Sequence, residues 1–201
     1  IRFARELGYS IKLLAIATDL GEKVEARVHP AMIPKHHILA NVNGAYNAIY
    51  IEGDFVGPNL YYGLGAGRRP TGSAVVSDII SLAREIRSGA KKRLSPLAHA
   101  SSPSKKIEIQ PSDEIQTPCY FRFSALDTPG VLSRISGILA DFNISISSVI
   151  QKGRVTKGSV PLVMLTHKAL ERDAKKAIAI IDELDMVTDK TVMIRVEGSK
   201  L

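Results

Sequence analysis

One cysteine, Cys119, and no tryptophan occur in the 201 residues. A lone thiol excludes an internal disulfide framework and fits a reducing, cytoplasmic setting, and no His or Cys pair has the spacing of a zinc site. Apolar runs are too short to span a bilayer, so no membrane partner is expected. Aromatic residues make up only 5% of the chain. None interleaves with the basic clusters Lys91-Lys92-Arg93 and Lys105-Lys106, and the net charge of +7 is otherwise spread along the chain. That distribution predicts solubility and excludes a base-stacking nucleic-acid surface. The adjacent pair His36-His37 diverges on an extended backbone and is expected on a loop or surface.

Glycine and proline are few but placed informatively. Gly63, Gly65 and Gly67 fall within five residues, directly before a helical run. Glycine tolerates positive φ and leaves backbone N–H groups unshielded, and a helix N-terminus favours negative charge. A nucleotide edge or a carboxylate would fit there. The spacing gives only the first half of G-x-G-x-x-G, because Arg68 takes the place of the third glycine. A glycine-rich turn that merely packs a strand against a helix is the alternative.

Gly89, Pro96, Pro103, Pro111 and Pro118 accumulate in a serine-rich stretch, which marks 89–118 as a linker between domains at 1–88 and 119–201. Ile1 to Leu7 read as the end of an amphipathic helix stopped by Gly8. In the first domain, residues 9–18 and 23–29 alternate around Leu20 to Lys23, and 45–52 and 57–64 alternate around Gly53-Asp54. These are two hairpins of an antiparallel sheet. Val75, Ile79, Leu82 and Ile86 form one face of a helix that can cover the sheet, with Thr71 or a neighbour as its cap. Such a sheet also suits a subunit interface. In the second domain the rhythm is strand 119–125, helix 129–142, strands 144–151 and 160–166, helix 170–184 and strand 187–196. That is the ferredoxin-like βαββαβ arrangement, and the fold class is α+β. Pro129 suits the first helical position with Thr128 as cap, and Leu132, Ile135, Leu139 and Phe142 make the helix's apolar face.

The run from Gly63 to Ile79, with Glu6 to Leu14, Arg27-Val28-His29-Pro30 and Asn41 to Ile49 upstream, resembles homoserine dehydrogenases in content and order. Gly72 stands where that family commonly has alanine. The resemblance implies an enzyme that passes a hydride between NADP or NAD and aspartate semialdehyde, giving homoserine, on the route to threonine and methionine. It also implies that the nucleotide-binding domain, the acid/base lysine and the substrate carboxylates lie before the segment that begins at Ile1. No catalytic residue is therefore expected within these residues, and the 201 residues alone are expected to be inactive. Lys12, in an alternating run, reads as a solvated strand position. By the same resemblance, Gly67 contacts the cofactor together with Gly65 and Ala66, and Gly63, Pro70 and Thr71 line the substrate loop.

Asp127-Thr128-Pro129-Gly130-Val131-Leu132 at the first turn, with Asn143-Ile144 after the helix, resembles an ACT domain. That resemblance implies side-by-side pairing in a homo-oligomer and an amino-acid effector at Asp127, Pro129, Gly130, Val131, Leu132, Asn143 and Ile144. Threonine is the leading candidate. Asp127 would take the α-amino group, and Asn143 of a paired subunit would read a hydroxyl. Alternatively, Asp127 and Gly130 are only turn and cap residues. A further alternative is a non-catalytic amino-acid sensor whose first 90 residues serve to dimerise.

Overall fold

The computed structural model describes residues 1–89, 107–151 and 158–198. In chain order the first elements are α1 (Arg2–Glu6), β1 (Tyr9–Asp19), β2 (Lys23–Pro34), β3 (Tyr46–Gly53), β4 (Gly57–Leu64) and α2 (Arg68–Arg87). Then come β5 (Glu108–Ile109), β6 (Gln116–Leu126), α3 (Val131–Asp141), β7 (Ile146–Gln151), β8 (Ser159–Leu170), α4 (Glu171–Ile181) and β9 (Val187–Val196). Two compact units result: residues 1–40 pack with those from 107 onward, and 41–106 form the other.

In the first unit, β9-β6-β8-β7 is the sheet order of a ferredoxin-like βαββαβ fold, with α3 and α4 as its helices. β6 shows why this sheet forms. Its period-two pattern sends Cys119, Phe121, Phe123 and Ala125 into one cluster with Ile135 and Leu139 of α3 and Ala174, Ala177 and Ile181 of α4. Tyr120 points to the opposite face, where it meets Ala4, Met32, Val163 and Val196. The strand begins at Gln116, three residues before its expected start, because Pro118 lies within it at a register shift. Proline has no N–H to give the ladder, and the next amide, that of Cys119, donates to Thr166 Oγ1 at 2.9 Å.

β1 and β2 form the expected first hairpin, turned at Gly21 with φ 88°, and α1 stops at Gly8 with φ 83°. The hairpin's sheet was not foreseen. β2 pairs in parallel with β9, Ala31 opposite Arg195 and Met32 opposite Val196, so the hairpin extends the ferredoxin-like sheet. β5 also pairs with β2, so the carboxyl end of the expected linker is structured; 90–106 lie outside the described residues.

The second unit holds the β3–β4 hairpin as a separate two-stranded sheet, and α2. Tyr46 and Tyr62 stack on it, ring centroids 4.9 Å apart and planes 2° from parallel. The two hairpins therefore do not share one sheet, since their backbone partners differ. Helix α2 forms over the expected residues but buries none of them, and Val75, Ile79, Leu82 and Ile86 remain exposed. The α+β class holds, and among the described residues this stripe stays exposed.

Three helix details differ from expectation. Gly67, not Thr71, occupies the N-cap of α2, and Thr71 lies inside the first turn with its amide donating to Gly67 at 3.1 Å. Helix α3 starts at Val131, so Pro129 and Thr128 precede the cap, which is Gly130 at φ 92°. Ile135 and Leu139 of the expected face are buried and Phe142 packs beside them, but Val131 and Ile138 complete the face, and Leu132 is 44% exposed. His36 and His37 lie on the expected loop, His36 exposed and His37 buried, and His37 Nδ1 accepts from the Leu39 amide at 3.2 Å.

Candidate functional site

Strand β4 delivers the glycine run to the start of α2. Gly63 to Arg69 are exposed along the whole turn. Each glycine has a different reason to be there. Gly67 has φ 126°, a backbone state that side chains with a Cβ rarely adopt. At Gly65 a Cβ would run into the side-chain amide of exposed Asn47, which would have to swing aside. At Gly63 a Cβ would meet nothing within 4 Å among the described residues. The turn requires glycine at Gly67 by its backbone, favours it at Gly65, and places no such demand at Gly63. Ala66 sits between Gly65 and Gly67, Pro70 follows in the first turn of α2, and Arg68 and Arg69 put two cations there with no acidic residue.

The Asp127 loop lies at the carboxyl end of β6 and leads into α3. Together with Gln151, Val160 and Leu162 it lines a concavity of about 180 Å³. The left-handed Gly130 aims the start of α3 at this space, and the amide of Arg134 already donates to Gly130 at 2.9 Å. Leu132, rotated out of the core, supplies an apolar wall. Gln151 Nε2 donates to Asp127 Oδ1 at 3.1 Å, and so holds the carboxylate in place. Sequence reasoning did not identify Gln151, because a glutamine at a strand end carries no spacing signal. Asn143 and Ile144 stand at the other end of the 11-residue α3. Asn143, with φ 56°, serves the helix end through its amide to Ala140, and Ile144 is core. Within one chain, the structure does not bring them to the Asp127 loop.

A charged cluster borders the β2–β9 pairing. Arg27 Nη2 donates to Glu197 Oε1 at 2.7 Å, and Arg27 also pairs with Glu25. Arg195 forks onto Glu171, whose side chain is only 2% exposed, and Lys175 reaches Glu171 at 3.7 Å and Asp113 at 2.8 Å. His29 is buried here; its Nε2 has no hydrogen-bond partner and lies 4.0 Å from Glu197 Oε1. Burial, helped by the Arg195 and Arg27 charges, holds His29 below the usual histidine range, against the raising effects of a bond to the Pro30 carbonyl and of Glu197. Burial, with the Glu171 charge close, pushes the Cys119 thiol up to about 11, so it is not a nucleophile at neutral pH. Lys12 lies on β1 opposite Ala31. Among the described residues no group of His, Cys, Asp and Glu is arranged to hold a metal ion, and no helix is long and apolar enough to cross a membrane.

The state of His29 predicts a pH dependence. Because its folded value is lowered, the unfolded chain takes up the proton first as pH falls through about 6.5. Stability is therefore greatest above that pH and is lost between it and the lower folded value. Urea unfolding at a series of pH values should show this decline in the wild type and a shallower one in His29→Asn. Equal slopes would refute the assignment.

Comparison with known proteins places both segments. Residues 1–80 match the family described as homoserine dehydrogenase, and residues 120–185 match the ACT domain. Homoserine dehydrogenase of Neisseria gonorrhoeae is 45% identical over 198 residues, which are 98% of this chain and 46% of that protein. The enzyme of Helicobacter pylori is 42% identical over 98% of the chain and 45% of its own length. A crystal structure of homoserine dehydrogenase from Thiobacillus denitrificans superposes with a TM-score of 0.87 at 43% identity, over 98% of this chain and 44% of that one. The chain spans about half the length of the relatives it matches. In sequence and in fold the chain is thus similar to part of homoserine dehydrogenases, with a homoserine dehydrogenase match at residues 1–80 and an ACT domain match at 120–185.

Proposed function

We propose that this chain is the carboxyl-terminal part of an enzyme that interconverts homoserine and aspartate semialdehyde with NADP or NAD, in a cytoplasmic setting, as a step toward threonine, methionine and isoleucine. The observation that carries the reading is the 45% identity to a homoserine dehydrogenase across 98% of the chain, glycine turn included. We assign residues 1–88 to the substrate and dimerisation segment, 89–118 to the connection and 119–201 to regulation.

In this reading the nicotinamide supplies the hydride when bound, and the chain's own part is to shape one wall of the site. The exposed run Gly63 to Gly67 suits a flat ring because its glycines leave the backbone bare, with Gly67, Gly65 and Ala66 toward the cofactor and Gly63, Pro70 and Thr71 toward the substrate. Gly67→Val would strain the turn at φ 126° as well as block a ligand, so it cannot separate the two effects. Gly63→Ala can. In the full-length enzyme it is expected to lower kcat/KM about ten-fold or more, roughly 1.4 kcal/mol of transition-state binding, with unfolding unchanged. The 201 residues alone are expected to show no nicotinamide-dependent turnover. Activity in the isolated chain, or full activity in Gly63→Ala, would count against the assignment.

For the ACT domain we propose that the concavity at Asp127 binds an amino acid, threonine first. Asp127 would pair with the α-ammonium, the start of α3 would favour the carboxylate by about 0.3–1 kcal/mol, and a second copy would supply Asn143. Asp127→Ala is expected to abolish threonine-induced thermal stabilisation without changing the ligand-free melting temperature, since Asp127 is exposed. Calorimetry with no heat at millimolar threonine would leave the loop a turn and nothing more.

Self-association follows from surface composition. Ile49, Ile51, Phe55, Tyr61, Val75 and Ile79 are all exposed on the second unit, and large apolar side chains gathered on a surface mark an interaction site. The full-length enzyme is expected to sediment as a dimer or larger, and a strictly monomeric species at micromolar concentration would rule this out.

A further inference from the structure

Strand β9 touches both the Asp127 loop and the strand that carries Arg27-Val28-His29-Pro30. Its amino end meets the effector loop: the Leu126 amide donates to the Met186 carbonyl at 2.9 Å, Ala125 pairs with Val187, and Thr188 Oγ1 donates to the Ser124 carbonyl at 3.2 Å. Its carboxyl end meets the strand that carries Arg27-Val28-His29-Pro30. Arg195 and Val196 pair with Ala31 and Met32, and the Glu197 amide donates to the Met32 carbonyl at 2.9 Å. Ten strand residues, about 30 Å, separate the two ends.

The two ends are held differently. Toward β2 the fastening is ionic and mostly shielded: the Arg27, Glu25 and Glu197 side chains are 11%, 13% and 18% exposed. Arg27 is shared between Glu25 and Glu197, so losing Glu197 leaves it one carboxylate short in a mostly shielded site. Arg195, one step back along β9, is clamped by the buried Glu171 at the start of α4. Toward the loop the fastening is irregular. The β6–β9 register shifts between Arg122 and Ser124 and again between Ser124 and Ala125, so the ladder is broken next to Asp127. A strand pinned at one end and interrupted at the other can respond to a change in the loop by changing its pairing there, and deliver that change to β2.

We infer that β9 couples the Asp127 loop to the Arg27–Pro30 strand, with the Arg27–Glu197 pair as the joint. The coupling rests on the proposed amino-acid site for its natural trigger, and on geometry alone for its path. The ACT match ends at residue 185 and β9 continues that sheet beside β6, while β2 lies within the homoserine dehydrogenase match, so the joint stands where the two meet. Arg27 and Glu197 are positioning residues.

The test is amide exchange read residue by residue on the full chain. In the wild type, threonine is expected to slow exchange at residues 127–132 and, about five-fold or more, at the Glu197 amide. Without ligand, Gln151→Ala, which removes the bond to Asp127, is expected to speed exchange at that same amide. In Glu197→Gln, which keeps the shape and loses the charge, threonine is expected still to protect the loop while the response in residues 28–33 disappears. Should that variant not fold, Arg27→Lys, which keeps the charge and loses the fork, takes its place. Loop protection with no change at Glu197 or in β2 overturns the inference, and so does a Gln151→Ala response confined to the loop. If threonine fails to protect 127–132, the effector reading falls by itself, because the Gln151→Ala arm decides the joint without ligand.

Discussion

The parallel pairing of β2 with β9 is short, two residue pairs and one following amide, yet the first unit depends on it. It converts a four-stranded ferredoxin-like sheet and a free hairpin into one continuous sheet, and it gives α1 a surface to lie on. Ala4, Met32 and Val196 come from three segments far apart in the chain and bury one another on the face opposite α3 and α4. The hydrophobic effect rewards that burial in proportion to area, but only once the strands are in register. Around the pairing, Arg27 with Glu197 and Arg195 with Glu171 satisfy the charges that the join takes out of water.

Each unit presents its loop in a different manner. The Asp127 loop is anchored in a packed sheet, with Phe121 and Phe123 fully buried behind it and Gln151 holding its carboxylate. A small cavity at the end of a rigid strand is a suitable place to bind a small charged molecule, because little order has to be created on binding. The glycine turn is carried by a hairpin and a helix whose apolar residues face outward. Its shape is set locally, by the φ of Gly67 and the nearness of Asn47 to Gly65, while its surroundings are left to be completed by other surfaces.

That contrast explains which site assignments could be made residue by residue. Gly130 and Gly67 were recognisable because a left-handed backbone is a local demand that sequence expresses directly. Leu132 was placed on the buried face with Ile135 and Leu139, but it lies in the first turn of α3, where Val131, about 100° away around the helix, takes the core position. Asn143, expected at the effector site of a paired copy, has φ 56° and closes the end of α3 in its own chain.

Elements that answer to local rules were legible in the order of residues alone. Alternation in β6, the 3.6-residue period of α3 and α4, and the glycines at turns are short-range properties, and the βαββαβ order and α+β class follow from them. The ordered blocks from Glu6 to Ile79 were likewise enough to reach the family. Only the tertiary structure decided that the first hairpin joins β9, that α2 leaves its stripe exposed, that Gln151 meets Asp127, and that His29 is shut in among charges. Those outcomes depend on which surfaces meet across long stretches of chain, here 24 residues from Asp127 to Gln151 and 170 from Arg27 to Glu197. No local pattern encodes the free energy of such a meeting.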